Sequence, residues 1–151
     1  NVQRHVFIVR YCNTRTVRSL MIKLCYKEYE WKITLGACKY FYEQTGKDLQ
    51  HSLLLYLEAC STSRDMDSIS RLRLFHGLLS FKDASVLFYS VIKQATEGVS
   101  LSEIQDAMYR VSWMPSESED GLCEPWPLIM LNLSTDANTY FAQISKKKAD
   151  T

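Results

Sequence analysis

Six apolar stripes at helical spacing, joined by connections of only two to five residues, constrain this chain more than any other feature of its sequence. From Thr14 to Tyr29, Val17, Leu20, Met21, Leu24 and Cys25 recur at i, i+3, i+4, i+7 and i+8, which is one face of an α-helix. Trp31, Leu35, Cys38 and Tyr42 mark a second helix closed by Gly46, and Leu49, Leu53, Tyr56, Leu57 and Cys60 a third. A fourth runs from about Asp65 to Leu79, with Asp65 and Asp67 in the first turn, where the helix dipole favours negative charge. Ala84, Leu87, Phe88, Val91 and Ile92 form the fifth stripe, and Leu101, Ile104, Ala107, Met108 and Val111 the sixth. Both begin at a hydroxyl followed three residues on by a carboxylate, Ser80/Asp83 and Ser100/Glu103, the pattern of a capping box.

Helices this short, joined this tightly, must lie antiparallel to their neighbours. The expected fold class is therefore all-α: stacked antiparallel helix pairs, as an open solenoid or a compact bundle of six to eight helices, with an irregular C-terminal segment. Val2 to Cys12 is expected to be helical with its neighbours. Beyond Trp113 the pattern changes, because Met114-Pro115 breaks the helix and residues 116–125 hold four acidic side chains and no basic ones. Pro125-Trp126-Pro127 is not expected to be helical throughout, and Leu128 to Leu133 reads as a strand or packed extended segment. Tyr140, Phe141 and Ile144 return to helical spacing. The division that follows is a helical unit over 1–113, an acidic Pro/Trp-containing loop over 114–127, and a capping segment with a basic tail over 128–151.

Ala37-Cys38-Lys39-Tyr40-Phe41-Tyr42 and Ala84-Ser85-Val86-Leu87-Phe88-Tyr89 share the pattern A-x-x-x-F-Y at an offset of 47 residues. The second copy, through to Gly98, resembles helix B of tetratricopeptide and pentatricopeptide repeats, in which a small residue precedes an aromatic pair and a glycine ends the helix. The offset is nearer that of armadillo and HEAT repeats. The resemblance implies stacked helix pairs that present an extended surface to a partner.

Residues able to carry chemistry are scattered. The five glycines form no phosphate-cradling loop; Gly36 and Gly77, inside predicted helices, point instead to close helix approach. Five cysteines include no CxxC pair, and His5, His51 and His76 are each isolated, so no metal site is expected. Cys25, Cys38 and Cys60 fall on apolar faces as buried thiols, and His76 reads as a structural histidine. No catalytic residue, cofactor or small-molecule substrate is expected, and the chain is not expected to be an enzyme. Its apolar runs are far shorter than the roughly 20 residues of a membrane span. Unbridged thiols suggest an intracellular location, in cytoplasm or nucleus. The triplet Asn132-Leu133-Ser134 matches a glycosylation acceptor by chance. A start without Met, inside a patterned segment, suggests a domain of a longer chain.

The net charge of +1 hides an asymmetry: +6 over residues 1–27, −7 over 28–145 and +2 over 146–151. On the first predicted helix Arg15, Arg18, Lys23 and Lys27 span the face opposite the apolar stripe, a basic surface suited to an acidic protein or a nucleic-acid backbone. Trp113 and Trp126 are candidate aromatic anchors, with Trp126 also suited to capping the last helix pair. The leading expectation is a scaffold module that binds other proteins. An RNA-binding helical repeat using the basic helix comes second, and a bundle whose groove receives one amphipathic partner helix third.

Overall fold

The computed structural model describes residues 21–110, 116–118 and 121–149. The fold is predominantly α-helical, with six helices among the described residues: α1 (Leu35–Thr45), α2 (Leu49–Thr62), α3 (Ser68–His76), α4 (Phe81–Ile92), α5 (Leu101–Arg110) and α6 (Trp126–Ala149). Two small antiparallel hairpins accompany them, β1 (Met21–Leu24) with β2 (Lys27–Glu30) and β3 (Ser116–Ser118) with β4 (Gly121–Cys123).

Five of the helices start on a hydroxyl or carboxylate cap, Ser80 and Ser100 where the sequence placed them, each satisfying a backbone N–H that the helix leaves orphaned. Thr34 accepts from the Ala37 amide, Asp48 from Gln50, Asp67 from Ser70, Ser80 from Asp83 and Ser100 from Glu103, at 2.8–3.1 Å. Gly46 ends α1 in the left-handed conformation, at φ 72°. By contrast, Gly36 and Gly77 are not sites of close helix approach. A Cβ on either would meet its nearest neighbour at ordinary contact distance, 3.5 Å or more.

The first predicted helix is corrected over residues 21–29, where the chain forms the β1–β2 hairpin instead. Tyr29, Trp31 and Ile33 alternate with Glu28, Glu30 and Lys32, a period of two that belongs to a strand and overrides the 3.6-residue stripe ending at Cys25. Ile22, Leu24 and Tyr29 turn into the core, while Lys23, Glu28 and Glu30 face out. The turn is Cys25-Tyr26, with Cys25 at φ 59°, as a two-residue hairpin loop demands of its first residue. Two contacts tie the hairpin's end to the C-terminus of α4: the Lys32 amide donates to the Val91 carbonyl at 2.9 Å, and the Thr96 hydroxyl to the Glu30 carbonyl at 2.9 Å.

Two expectations about the C-terminal part are also corrected. In the acidic segment Ser116–Ser118 pairs with Gly121–Cys123 as β3–β4, and Leu128–Leu133 is helical, because α6 starts at Trp126 and runs unbroken for 24 residues. Pro127 is tolerated there because a proline in the first turn removes an amide that would have no intrahelical partner. The irregular segment therefore precedes a long helix. Asn132 and Ser134 lie within it, Asn132 donating to Glu124 at 3.3 Å and Ser134 buried, so the triplet is not presented as a glycosylation acceptor.

α1 packs on α4, and α2 on α6, so the closest helix pairs are far apart in sequence. Repeat solenoids bring together only consecutive units, so of the two architectures left open by the sequence this is the compact bundle. α4 is its centre, with eight of its twelve residues buried. The A-x-x-x-F-Y echo marks the two helices that meet: Ala37 and Phe41 of α1 and Ala84 and Phe88 of α4 are all fully buried, and Tyr40 meets Tyr89 edge to face at 5.7 Å. Tyr56 of α2 stacks on Phe75 of α3 at 6.3 Å, yet its buried hydroxyl has no hydrogen-bond partner among the described residues. Tyr56→Phe removes an unsatisfied polar atom and keeps the ring, so it is expected to leave the urea unfolding midpoint unchanged or to stabilise by up to ~1–2 kcal/mol. A loss of more than ~1 kcal/mol would show that the hydroxyl is bonded after all.

Candidate functional site

Between the β1–β2 hairpin and α5 lies an open groove of about 550 Å³. Its floor is a polar contact between two elements separated by more than seventy residues. The Tyr29 hydroxyl donates to Glu103 Oε2 at 2.6 Å, and Lys27 Nζ donates to the same oxygen at 3.2 Å while lying 5.1 Å from the centre of the Tyr29 ring. Hairpin geometry places this pair. Lys27 and Tyr29 stand two apart on one strand and share the face turned toward α5, and Ser100 caps the helix so that Glu103 falls in its first turn.

Burial and the hydrogen bond to an anionic acceptor push the Tyr29 phenol well above its ordinary pKa, so it remains a donor at any ordinary pH. Glu103 moves the other way, held below the usual carboxylate range by the Tyr29 hydroxyl and then by Lys27. A carboxyl with a depressed folded-state pKa contributes stability in full above its unfolded value, near 4.3, and loses it as pH falls through the lower folded value. Glu103→Gln is expected to cost about 1 kcal/mol at pH 7, since the carboxylate is partly exposed. The difference between variant and wild type should shrink as the urea titration is taken down through pH 4. A difference independent of pH would remove the ion from the account.

The walls of the groove carry polar groups that make no hydrogen bond or ion pair among the described residues. Tyr26, at the hairpin turn, is 52% exposed; Asp106 and Arg110, one turn apart on α5, have no hydrogen bond or ion pair among the described residues. Ser102 adds a hydroxyl to one wall. Together these groups offer a hydrogen-bonding, mixed-charge cleft with one aromatic rim.

The residues singled out from sequence are distributed differently. Arg15, Arg18 and Trp113 lie outside the described residues. Lys23 and Lys27 would share a helix face at i, i+4, but on the hairpin they point to opposite sides, Lys23 outward beside Glu28 and Lys27 inward onto Glu103. The expected single basic face is thus not formed by these two lysines. Trp126 is fully buried, with its ring 4.9 Å from His76 and 6.3 Å from Phe81, so it anchors α6 to the bundle and is not displayed to a partner. His76 is half-buried against it. Cys25 and Cys60 are buried and Cys38 half-buried; none of the three forms a disulfide. Tyr29, Glu103, Asp106 and Arg110 had no signal as a group in the sequence, though Tyr29-Glu30-Trp31 carried the alternation that reveals the strand.

Among the described residues no group of three side chains is placed to hold a metal ion, and no helix is long and apolar enough to cross a membrane. Set beside protein-family models, curated proteins and solved structures, the chain matches none of them.

Proposed function

We propose that this chain is a non-enzymatic protein-interaction module whose docking surface is the groove between the β1–β2 hairpin and α5. The observation that supports it is the combination of a pre-set polar floor, Tyr29–Glu103–Lys27, with a rim whose Tyr26, Asp106 and Arg110 make no hydrogen bond or ion pair among the described residues. Tyrosine and arginine at the edge of a concave surface are the side chains that supply binding energy at protein interfaces. The fixed floor adds preorganisation, since no side chain there must be ordered when a partner arrives. Charges of both signs along one wall suit a partner segment that presents a basic residue to Asp106 and an acidic one to Arg110. Such a lining is a poor match for a phosphate backbone, which favours a wall of one positive sign.

Photo-crosslinking from position 26 in the full chain, followed by pull-down with single variants, tests the proposal. A partner crosslinked at position 26 should be retained about tenfold less well by Asp106→Lys and by Arg110→Glu, and equally well by Leu35→Ala, an exposed position that does not line the groove, with circular dichroism unchanged. Retention that is the same for all three variants would remove the groove as the docking surface.

A further inference from the structure

The outward face of α5 is complementary to itself. Ser102, Asp106, Tyr109 and Arg110, all exposed, fall within an arc of about 100° on the helix, opposite the fully buried Ile104 and Met108. Tyr109 is 77% exposed, the most exposed aromatic side chain among the described residues, and lies outside the core. Asp106 and Arg110 stand one turn apart, the spacing at which an acid and a base pair within a helix, yet neither forms an ion pair or hydrogen bond among the described residues. The other two charged side chains lining the groove, Lys27 and Glu103, are paired with each other. The lining therefore carries no net charge, and a partner surface of one sign satisfies only half of what is unpaired.

One symmetry operation satisfies all three exposed groups. Two copies of α5 laid antiparallel about a two-fold axis level with Met108 bring Asp106 against Arg110 of the second copy, and Arg110 against its Asp106, because a two-fold makes every contact twice. The two ion pairs then lie ~6 Å apart along the helix axes, and the two Tyr109 rings fall between them with an axial offset of about 3 Å. Aromatic rings prefer such an offset to a face-to-face sandwich. A parallel pair of α5 helices would instead set like charges opposite each other. Resting on the reading of this groove as the docking surface, we infer that its partner is a second copy of this chain, joined by an antiparallel α5–α5 contact with Tyr109 at its centre. A contact centred on a ten-residue helix falls below the roughly 1,200 Å² at which standard-size interfaces begin, so the dimer is of the weak, reversible class.

Sedimentation velocity of the full chain, from roughly 5 to 200 µM, tests this, with wild type expected to pass from monomer to dimer across that range. Asp106→Lys makes both positions positive and Arg110→Glu makes both negative, so either variant alone should self-associate at least tenfold more weakly. An equimolar mixture of the two variants should dimerise at least as well as wild type, because every pair across the axis is again of opposite sign. Tyr109→Ala should weaken the dimer at least fivefold with the circular dichroism spectrum unchanged. Leu54→Lys, at the exposed rim of a second, uncharged groove between α2 and α6, should leave it as it is. A mixture as monomeric as its two components would overturn the inference, as would loss of the dimer in Leu54→Lys alone. A chain monomeric throughout, whose position-26 crosslink to a different protein still depends on Asp106 and Arg110, would also overturn it while keeping the groove as a docking surface.

Discussion

Trp126→Ala should destabilise the fold by ~3–5 kcal/mol, the largest single loss expected in this chain. The indole is fully buried at the start of α6, between His76 at the end of α3 and Phe81 at the start of α4, so its removal leaves a void where three helices converge. Domains of this size have a total stability of about 5–15 kcal/mol, so the variant should unfold at a urea concentration lower by ~1 M or more. Trp126→Phe should cost much less, because the indole N–H has no hydrogen-bond partner among the described residues and the ring contacts are largely kept. The two variants separate a core role from an interface role. If Trp126→Ala unfolded like wild type and lost a partner, the tryptophan would be a docking anchor and its burial here would have no energetic meaning.

Phe88→Ala comes next, also at ~3–5 kcal/mol, because Phe88 is fully buried in α4, eight of whose twelve residues are buried. Phe41→Ala, its counterpart in the A-x-x-x-F-Y echo, should fall in the same range. Tyr42, the last residue of the first copy, is largely exposed, and Tyr42→Ala should change stability by no more than ~0.5 kcal/mol. Thermal and urea unfolding of the three variants measures whether the echo is a packing motif. Similar small losses at all three positions would reduce it to coincidence.

Much of the fold is legible before any coordinates. The hydroxyl caps of α4 and α5 and the glycine that ends α1 act within a few residues of themselves, so reading them requires no knowledge of what lies across the core. The hairpin was obscured because Met21, Leu24 and Cys25 satisfy a helical spacing that continues back to Val17, whereas the alternation from Glu28 to Ile33 extends over only six residues. For a short segment both periods fit, and only burial of Ile22 and Tyr29 together chooses between them. α6 was obscured by its two prolines, each a helix breaker in most positions and harmless in the first turn or just before it.

The candidate site was legible only in parts. Glu103 was visible as a capping residue and Lys27 as one of a set of basic side chains, but nothing in the chain between them signals that they meet at 3.2 Å. The near-neutral net charge conceals the same thing on a larger scale, since opposite charges far apart in sequence cancel in the sum whether or not they touch.

By itself, then, the sequence determined the helical class, the starts of α4 and α5, the glycine end of α1 and the buried face of α4, because periodicity and capping are local physics; it misplaced the face of α1, where Leu35 and Tyr42 are exposed. Tertiary structure alone decided that α1 pairs with α4 and α2 with α6, and hence that two grooves exist and which charges line them. Apolar stripes of similar width are interchangeable as partners one by one; only simultaneous close packing of all of them selects one arrangement.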